Sequence, residues 1–403
     1  MILPYQKCWL LCVVLVCAAP VCAQKPTAAS TSSSTASTPF DDLAKKAGEA
    51  REGGRLDEAL ELYGKGVGLQ PRWTEGWWYL GTLYYDRDKY AQGRDALKHV
   101  TELDPKNGNA LAMLALCEFG LKDYEQSMAH LEQARVLGVS TSVEFMSVVR
   151  YHSGILLTRF GHFAEGHQAL IYLARYQNAS PSVIEAFGLN VLEMPYFPGD
   201  EPADKRDLVV KTGTAVFYML ARRPVEAKQA FEDLIAKYPT TPRLHYFYGV
   251  FLIGEQSDAA LEQFKKDLEI SPENVYSLLQ IATELINRTE YTAALPYAQK
   301  AVDLARGESA PHIALGRILV ETGETDAGIA QLELAERFDP NNSKVHFALA
   351  HAYGRVGRKE DAAKERETFL RLDAAERASW GKSEGSSGGA APQNQKPSEK
   401  PEK

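Results

Sequence analysis

The sequence predicts an all-α fold, a solenoid built from antiparallel helix pairs. Three observations predict it. A small residue recurs as Ala47, Gly81, Ala115, Gly154, Ala215, Gly249, Ala282, Gly316 and Ala350, in most cases 34 residues apart. A period of that size marks a stacked array rather than one compact core. A second small position follows about twelve residues later, as Ala59, Gly93, Ser127, Gly166, Ala227, Ala260, Ala294, Gly328 and Ala362. A proline closes many of the units, as Pro71, Pro105, Pro239, Pro272 and Pro340.

These marks have a common physical cause. The two small residues sit where the first helix of a pair (A) crosses the second (B), and a large side chain there would push the helices apart. The proline ends helix B, because it lacks an N–H and clashes with the preceding turn. A larger residue four positions after the second small one fills the space between neighbouring pairs; it is Tyr63, Leu97, Leu131, Leu170, Phe231, Phe264 or Leu332. Nine full units fit between Phe40 and about Ala375. A chain of 403 residues is too long for one ordinary core and long enough for such an array.

In chain order, residues 1–23 read as a signal peptide. Lys7 precedes the apolar run from Trp9 to Ala19, and Val21, Cys22 and Ala23 lead to a cleavage site before Gln24. The run falls short of the about 20 residues that span a bilayer. No stable membrane insertion is therefore expected after cleavage, and the mature chain is expected in the periplasm or outside the cell. Cys8, Cys12, Cys17 and Cys22 leave with this segment, so Cys117 alone remains and no internal disulfide can form. Cys117 lies in an apolar helix and reads as a small buried hydrophobe. Residues 24–39 form a Ser/Thr-rich spacer whose composition cannot bury a core.

Units 1–4 occupy residues 40–180. The pattern then breaks over residues 181–207. Gly188 lies 34 residues after Gly154, so Val183 to Glu193 reads as another helix A, but no helix B follows. The stretch from Met194 to Pro202 carries Pro195, Pro198 and Pro202, and the next unit arrives early at Ala215. A half-repeat and an ordered loop are expected here, ahead of units 5–9 at residues 208–375. Residues 376–403, rich in Gly, Ser, Pro, Lys and Glu, are expected to be a disordered tail.

The formal net charge is -8, and no basic run occurs outside the Lys/Glu/Pro mixture at the C-terminus. That argues against a nucleic-acid partner, because phosphate binding needs a cationic face. No HExxH, Walker or CxxC motif occurs. His162 and His167 flank a turn at different depths, and His346 and His351 are five apart on a helix and share no face. Asp200, Glu201, Asp204 and Asp207 could take a hard cation, but Lys205 and Arg206 among them favour simple solvation. No metal site, cofactor or catalytic residue is therefore assigned.

The pattern resembles the tetratricopeptide-repeat family. The match is clearest in the second unit, where Trp77, Leu80, Gly81 and Tyr84 are followed by Gly93, Leu97 and Pro105, and in the eighth, with Leu315, Gly316, Gly328, Leu332 and Pro340. The order of segments is similar to that of exported bacterial members of the family. The resemblance implies a right-handed superhelical solenoid and a scaffold for protein–protein interaction. It also implies a concave groove lined from the A helices. Mapped here, that groove is apolar and aromatic, with Trp78, Tyr85, Phe119, Tyr151 and Tyr246 as anchors and Arg317 among few charges. The Lys/Asn/Arg clamp with which chaperone adaptors hold a C-terminal carboxylate is missing. Aromatic anchors suit an extended peptide or a helix. Two readings of this set stay open: a groove that receives a partner, or side chains covered by the superhelical turn and the neighbouring loop. The expected function is a non-enzymatic scaffold that binds a protein or peptide, and the alternative is a carbohydrate or cell-wall polymer held by the same rings.

Overall fold

The computed structural model describes residues 38–140, 142–254 and 256–385. The expected signal peptide, and all of the spacer except its last two residues, lie outside them. Among the described residues every regular element is a helix, nineteen in all. They form the pairs α1 (Pro39–Glu52) with α2 (Leu56–Leu69), α3 (Thr74–Asp86) with α4 (Tyr90–Leu103), α5 (Gly108–Gly120) with α6 (Tyr124–Leu137), and α7 (Val143–Arg159) with α8 (Phe163–Arg175). After α9 (Pro181–Val191) come α10 (Arg206–Leu220) with α11 (Pro224–Lys237), α12 (Leu244–Leu252) with α13 (Ser257–Ile270), and α14 (Val275–Asn287) with α15 (Tyr291–Leu304). The last pairs are α16 (Ser309–Thr322) with α17 (Thr325–Phe338), and α18 (Ser343–Arg355) with α19 (Lys359–Gly385). Connections of a few residues make each pair antiparallel. Among the described residues no helix is long and apolar enough to cross a membrane.

The described residues divide into two compact units, with the boundary between Lys237 and Tyr238. Within each, the solenoid rests on one steric rule. A Cβ placed on Gly81 would meet Leu97 Cγ at 2.5 Å, one on Gly249 would meet Phe264 Cε1 at 2.6 Å, and one on Gly316 would meet Leu332 Cγ at 2.7 Å. The large residue of helix B thus lies directly on the small residue of helix A. Leu97, Phe264 and Leu332 are buried as a result, and each burial contributes roughly 2 kcal/mol or more.

The ends of the pairs are built as carefully. Asn107, Asn274 and Asn342 cap α5, α14 and α18, each accepting a backbone N–H from the first turn. Each stands two residues after a helix-ending proline, at Pro105, Pro272 or Pro340. Four residues before the first small position, one ring nitrogen donates to the carbonyl six residues upstream. Trp77 Nε1 donates to Pro71 at 2.9 Å, His245 Nε2 to Pro239 at 3.1 Å, His312 Nε2 to Arg306 at 3.0 Å and His346 Nε2 to Pro340 at 2.9 Å. That bond ties each A helix to the connection leading into it.

At 181–207 the backbones themselves make contact. A Cβ on Gly188 of α9 would lie 1.9 Å from the Val209 carbonyl oxygen of α10, and one on Gly213 would lie 1.9 Å from the Ile184 oxygen. Only glycine on both sides lets the helices approach so closely. α10 therefore packs on α9 through Val209 and Gly213, and it also packs on α11, with Ala215, Ala227 and Phe231 of the repeat pattern all buried. One helix serves two partners. α19 also differs from expectation, running past residue 376 to Gly385. No Gly or Pro falls between Lys359 and Trp380, and Asp373 pairs with Arg377 one turn later at 2.7 Å.

Candidate functional site

All six side chains mapped to the groove are half-buried. Trp78 and Tyr85 on α3 and Phe119 on α5 pack on one core cluster that includes Leu97, Leu116, Cys117 and Leu156. The structure thus brings these three together in the first unit. Tyr151 on α7 joins them through His152, whose ring lies 5.3 Å from Tyr151 and 4.7 Å from Phe119. Tyr246 and Arg317 belong to the second unit.

The chain's own loop packs against the first-unit cluster. Phe197, flanked by Pro195 and Pro198, sets its ring edge-on against Phe119 at 5.7 Å and tilted against Tyr124 at 4.7 Å. Such aromatic pairs favour edge-to-face contact because the ring edge is positive and its face negative. The loop is held by charge. Glu201, buried at 7% exposure, accepts the Gly199 N–H at 2.8 Å and lies 3.3 Å from Arg206. Arg206 also donates to Glu185 at 2.5 Å. Burial raises the Glu185 pKa against the pull of that guanidinium. The acidic loop read as solvated is, at Glu201, a buried brace.

The surroundings are electrostatically quiet. His152 donates Nδ1–H to the Val148 carbonyl at 2.8 Å, and burial pulls its pKa down to about 4. The ring is therefore neutral at ordinary pH. Burial, with the charge of Glu118 beside it, pushes the Cys117 thiol up to about 12, so the thiol is a packing group rather than a nucleophile. Burial also raises the Tyr85 phenol above its ordinary range. A neutral aromatic surface of this kind suits apolar contact.

The second unit presents a different surface. Arg317, Val320, Glu321, Leu332, Phe347 and His351 contribute to the lining of a cavity of about 200 Å³. Glu321 is engaged by Arg355 at 2.7 Å and by His351 at 3.6 Å. Arg317 shares this lining with the charged Glu321 and with the apolar Val320, Leu332 and Phe347. Phe347 is 59% exposed. Tyr246 packs away from this cavity, against Phe247, Phe264 and Tyr276. The repeat mapping placed Arg317 in the groove. It did not name Phe347 and His351, which lie one and five residues after His346, or Phe197, which no periodicity marks.

Sequence profiles described as tetratricopeptide repeat match residues 79–138, 213–241 and 285–352. Anaphase-promoting complex subunit 3 of Schizosaccharomyces pombe is 23% identical over 338 residues, 80% of this chain and 47% of its own length. Protein O-mannosyl-transferase TMTC3 of Homo sapiens is 23% identical over 236 residues, 55% of this chain and 25% of its own. The chain spans between a quarter and about half the length of these relatives. Among solved structures, MamA 41-end from Desulfovibrio magneticus RS-1 matches with TM-score 0.39 at 21% identity, over 43% of this chain and 97% of the other. A further MamA crystal structure matches with TM-score 0.36 at 17% identity, over 40% and 95%.

Proposed function

Because the chain is a tetratricopeptide-repeat protein, we propose that it works as a non-enzymatic scaffold that binds an extended protein segment on the aromatic face of α3, α5 and α7. The observation that carries this reading is the seating of Phe197. The face accepts an aromatic ring offered by a proline-rich loop that turns on both sides of it, so it has the chemistry to accept another. Trp78, Tyr85 and Tyr151 extend that face on either side of the seat. A relative named as a subunit of a complex points the same way.

The scaffold is proposed to act outside the cytoplasm. The leader pattern of residues 1–23 supports this, as does a chain beyond it whose single cysteine is buried and unreactive. Intact mass of the chain from an envelope fraction tests it: a start at Gln24 is expected, and a start at Met1 in the cytoplasm contradicts it.

The binding face is tested by comparing partners recovered by the native chain and by a Trp78→Ala/Tyr85→Ala variant of unchanged helical content. A partner recovered by the native chain and lost with the variant is expected. Equal recovery removes the assignment.

A further inference from the structure

Three imidazoles in the second unit share one repeat position, and one of them has two acidic neighbours. At His245, His312 and His346 the Nε2–H is committed to a backbone carbonyl, so Nδ1 faces helix B of the same pair. It meets the side-chain amide of Gln263 at 2.7 Å and of Gln331 at 2.6 Å. At His346 it meets instead the carboxylate of Glu365, at 2.6 Å. Ten residues before His245 and His312 stand Ile235 and Val302, and Val67 stands ten before Trp77. Ten before His346 stands Glu336. The two departures from the repeat pattern fall in the same unit and converge on the same ring. One ligand atom each from Glu336, His346 and Glu365 lies within 4.8 Å of the other two.

We propose that Glu336, His346 and Glu365 form a site for a divalent transition-metal ion of the zinc type. His346 binds through Nδ1, each carboxylate through one oxygen, and the fourth position is left to water or to a donor from a partner. One imidazole and two carboxylates suit such an ion. The Pro340 carbonyl on Nε2–H is the outer contact that fixes a ligating histidine's tautomer and aims its free nitrogen. Charge argues in the same direction. His346 and Glu365 are 3% and 7% exposed, and an imidazolium would offset only one of the two carboxylates. A divalent ion with a neutral imidazole offsets both. The 2.6 Å hydrogen bond must open to about 3.3 Å, the separation of two donors about 2.0–2.1 Å from a tetrahedral ion, and the terminal torsions of Glu365 carry that shift. Glu336 is half-buried and provides the path from solvent. A bound ion would join α17, α18 and α19, the last three described helices of the array, which have no further repeat to pack on among the described residues.

The test uses the full chain without an affinity tag, stripped with chelator. Zinc is titrated calorimetrically and by thermal unfolding, and cobalt(II) by its visible absorption. The control is Glu336→Val/Glu365→Gln, which rebuilds around His346 the Val302–Gln331 surroundings of His312 and so preserves folding. The native chain is expected to take up one zinc ion, to melt higher with zinc, and to give a cobalt band of four- or five-coordinate geometry. The variant is expected to lose the band and more than the about 100-fold in affinity that loss of an outer contact alone costs, while its metal-free melting temperature does not fall. A native chain with no saturable zinc binding overturns the proposal, leaving the three residues as a proton-linked cluster. Binding that survives undiminished in the variant overturns it equally.

Discussion

Trp77 in the first unit and His245, His312 and His346 in the second perform one task by different means. Each donates a ring N–H to the carbonyl six residues upstream. The indole has no second nitrogen, and its other contact is a stack on His99, at 4.1 Å and 27°. The imidazole has one, so helix B must answer with a polar group, Gln263, Gln331 or Glu365. The difference shows how a repeat diversifies. The backbone side of the position is fixed by the unpaired carbonyl, and the helix B side is free to become aromatic, amide or acidic. The surfaces diverge in the same way. The first unit gathers Trp78, Tyr85, Phe119 and Phe197, whereas the second sets Arg317 beside the exposed Phe347.

The largest effect is expected where no diversification is tolerated. Gly213→Ala would drive a methyl into the Ile184 carbonyl and cost about 3 kcal/mol or more, read by chemical denaturation. A loss under about 1 kcal/mol would mean that α9 and α10 are not locked together. Next comes the paired position. Trp77→Ala loses the carbonyl bond and the stacked ring, about 3 kcal/mol, whereas His312→Ala loses about 2 kcal/mol through polar groups left unpaired. Equal losses would erase the distinction drawn between the units.

A pH effect of intermediate size belongs to the first unit. His152 is held at about 4 against an ordinary 6.5. A base with a lowered folded pKa binds fewer protons folded than unfolded, so stability is full above 6.5 and falls as pH drops toward 4. The loss is about 2 kcal/mol, discounted because the ring is half-buried, and His152→Gln should flatten melting temperature against pH in that window. An unchanged slope in the variant assigns the loss elsewhere. The smallest effect concerns a turn. Thr289 holds φ at 61°, at a turn position filled by Gly54, Gly161, Gly323 and Gly357 in some repeats and by the unbranched-β Asp88, Lys122 and Arg222 in others. Thr289→Gly should gain about 1 kcal/mol, and a lower melting temperature would contradict it.

The fold was legible because a helix crossing admits only Gly, Ala or Ser, and that restriction recurs 34 residues apart at Gly81 and Ala115, and again at Ala282, Gly316 and Ala350. The double role of α10 was not legible, since Gly213 stands two residues before Ala215 and gains meaning only from the facing Gly188. The aromatic character of the face could be read at Trp78, Tyr85 and Phe119, because the register assigns them to it. Phe197 could not, because a proline-rich loop carries no period to place it. Glu336 and Glu365 are 29 residues apart. Their signal was the departure from Val302 and Gln331, which has meaning only once His312 and His346 are superposed in register.

The central claim, that the face of α3, α5 and α7 receives an extended aromatic segment, is tested most directly by supplying the chain's own segment from outside. The seat is vacated by Phe197→Ala in the full chain, and a labelled peptide spanning Met194–Pro202 is titrated by fluorescence anisotropy, with Phe119→Ala added as control. Saturable binding below about 1 mM, lost when Phe119 is also replaced, is the result the account predicts. No binding at that concentration, or binding indifferent to Phe119, would contradict it.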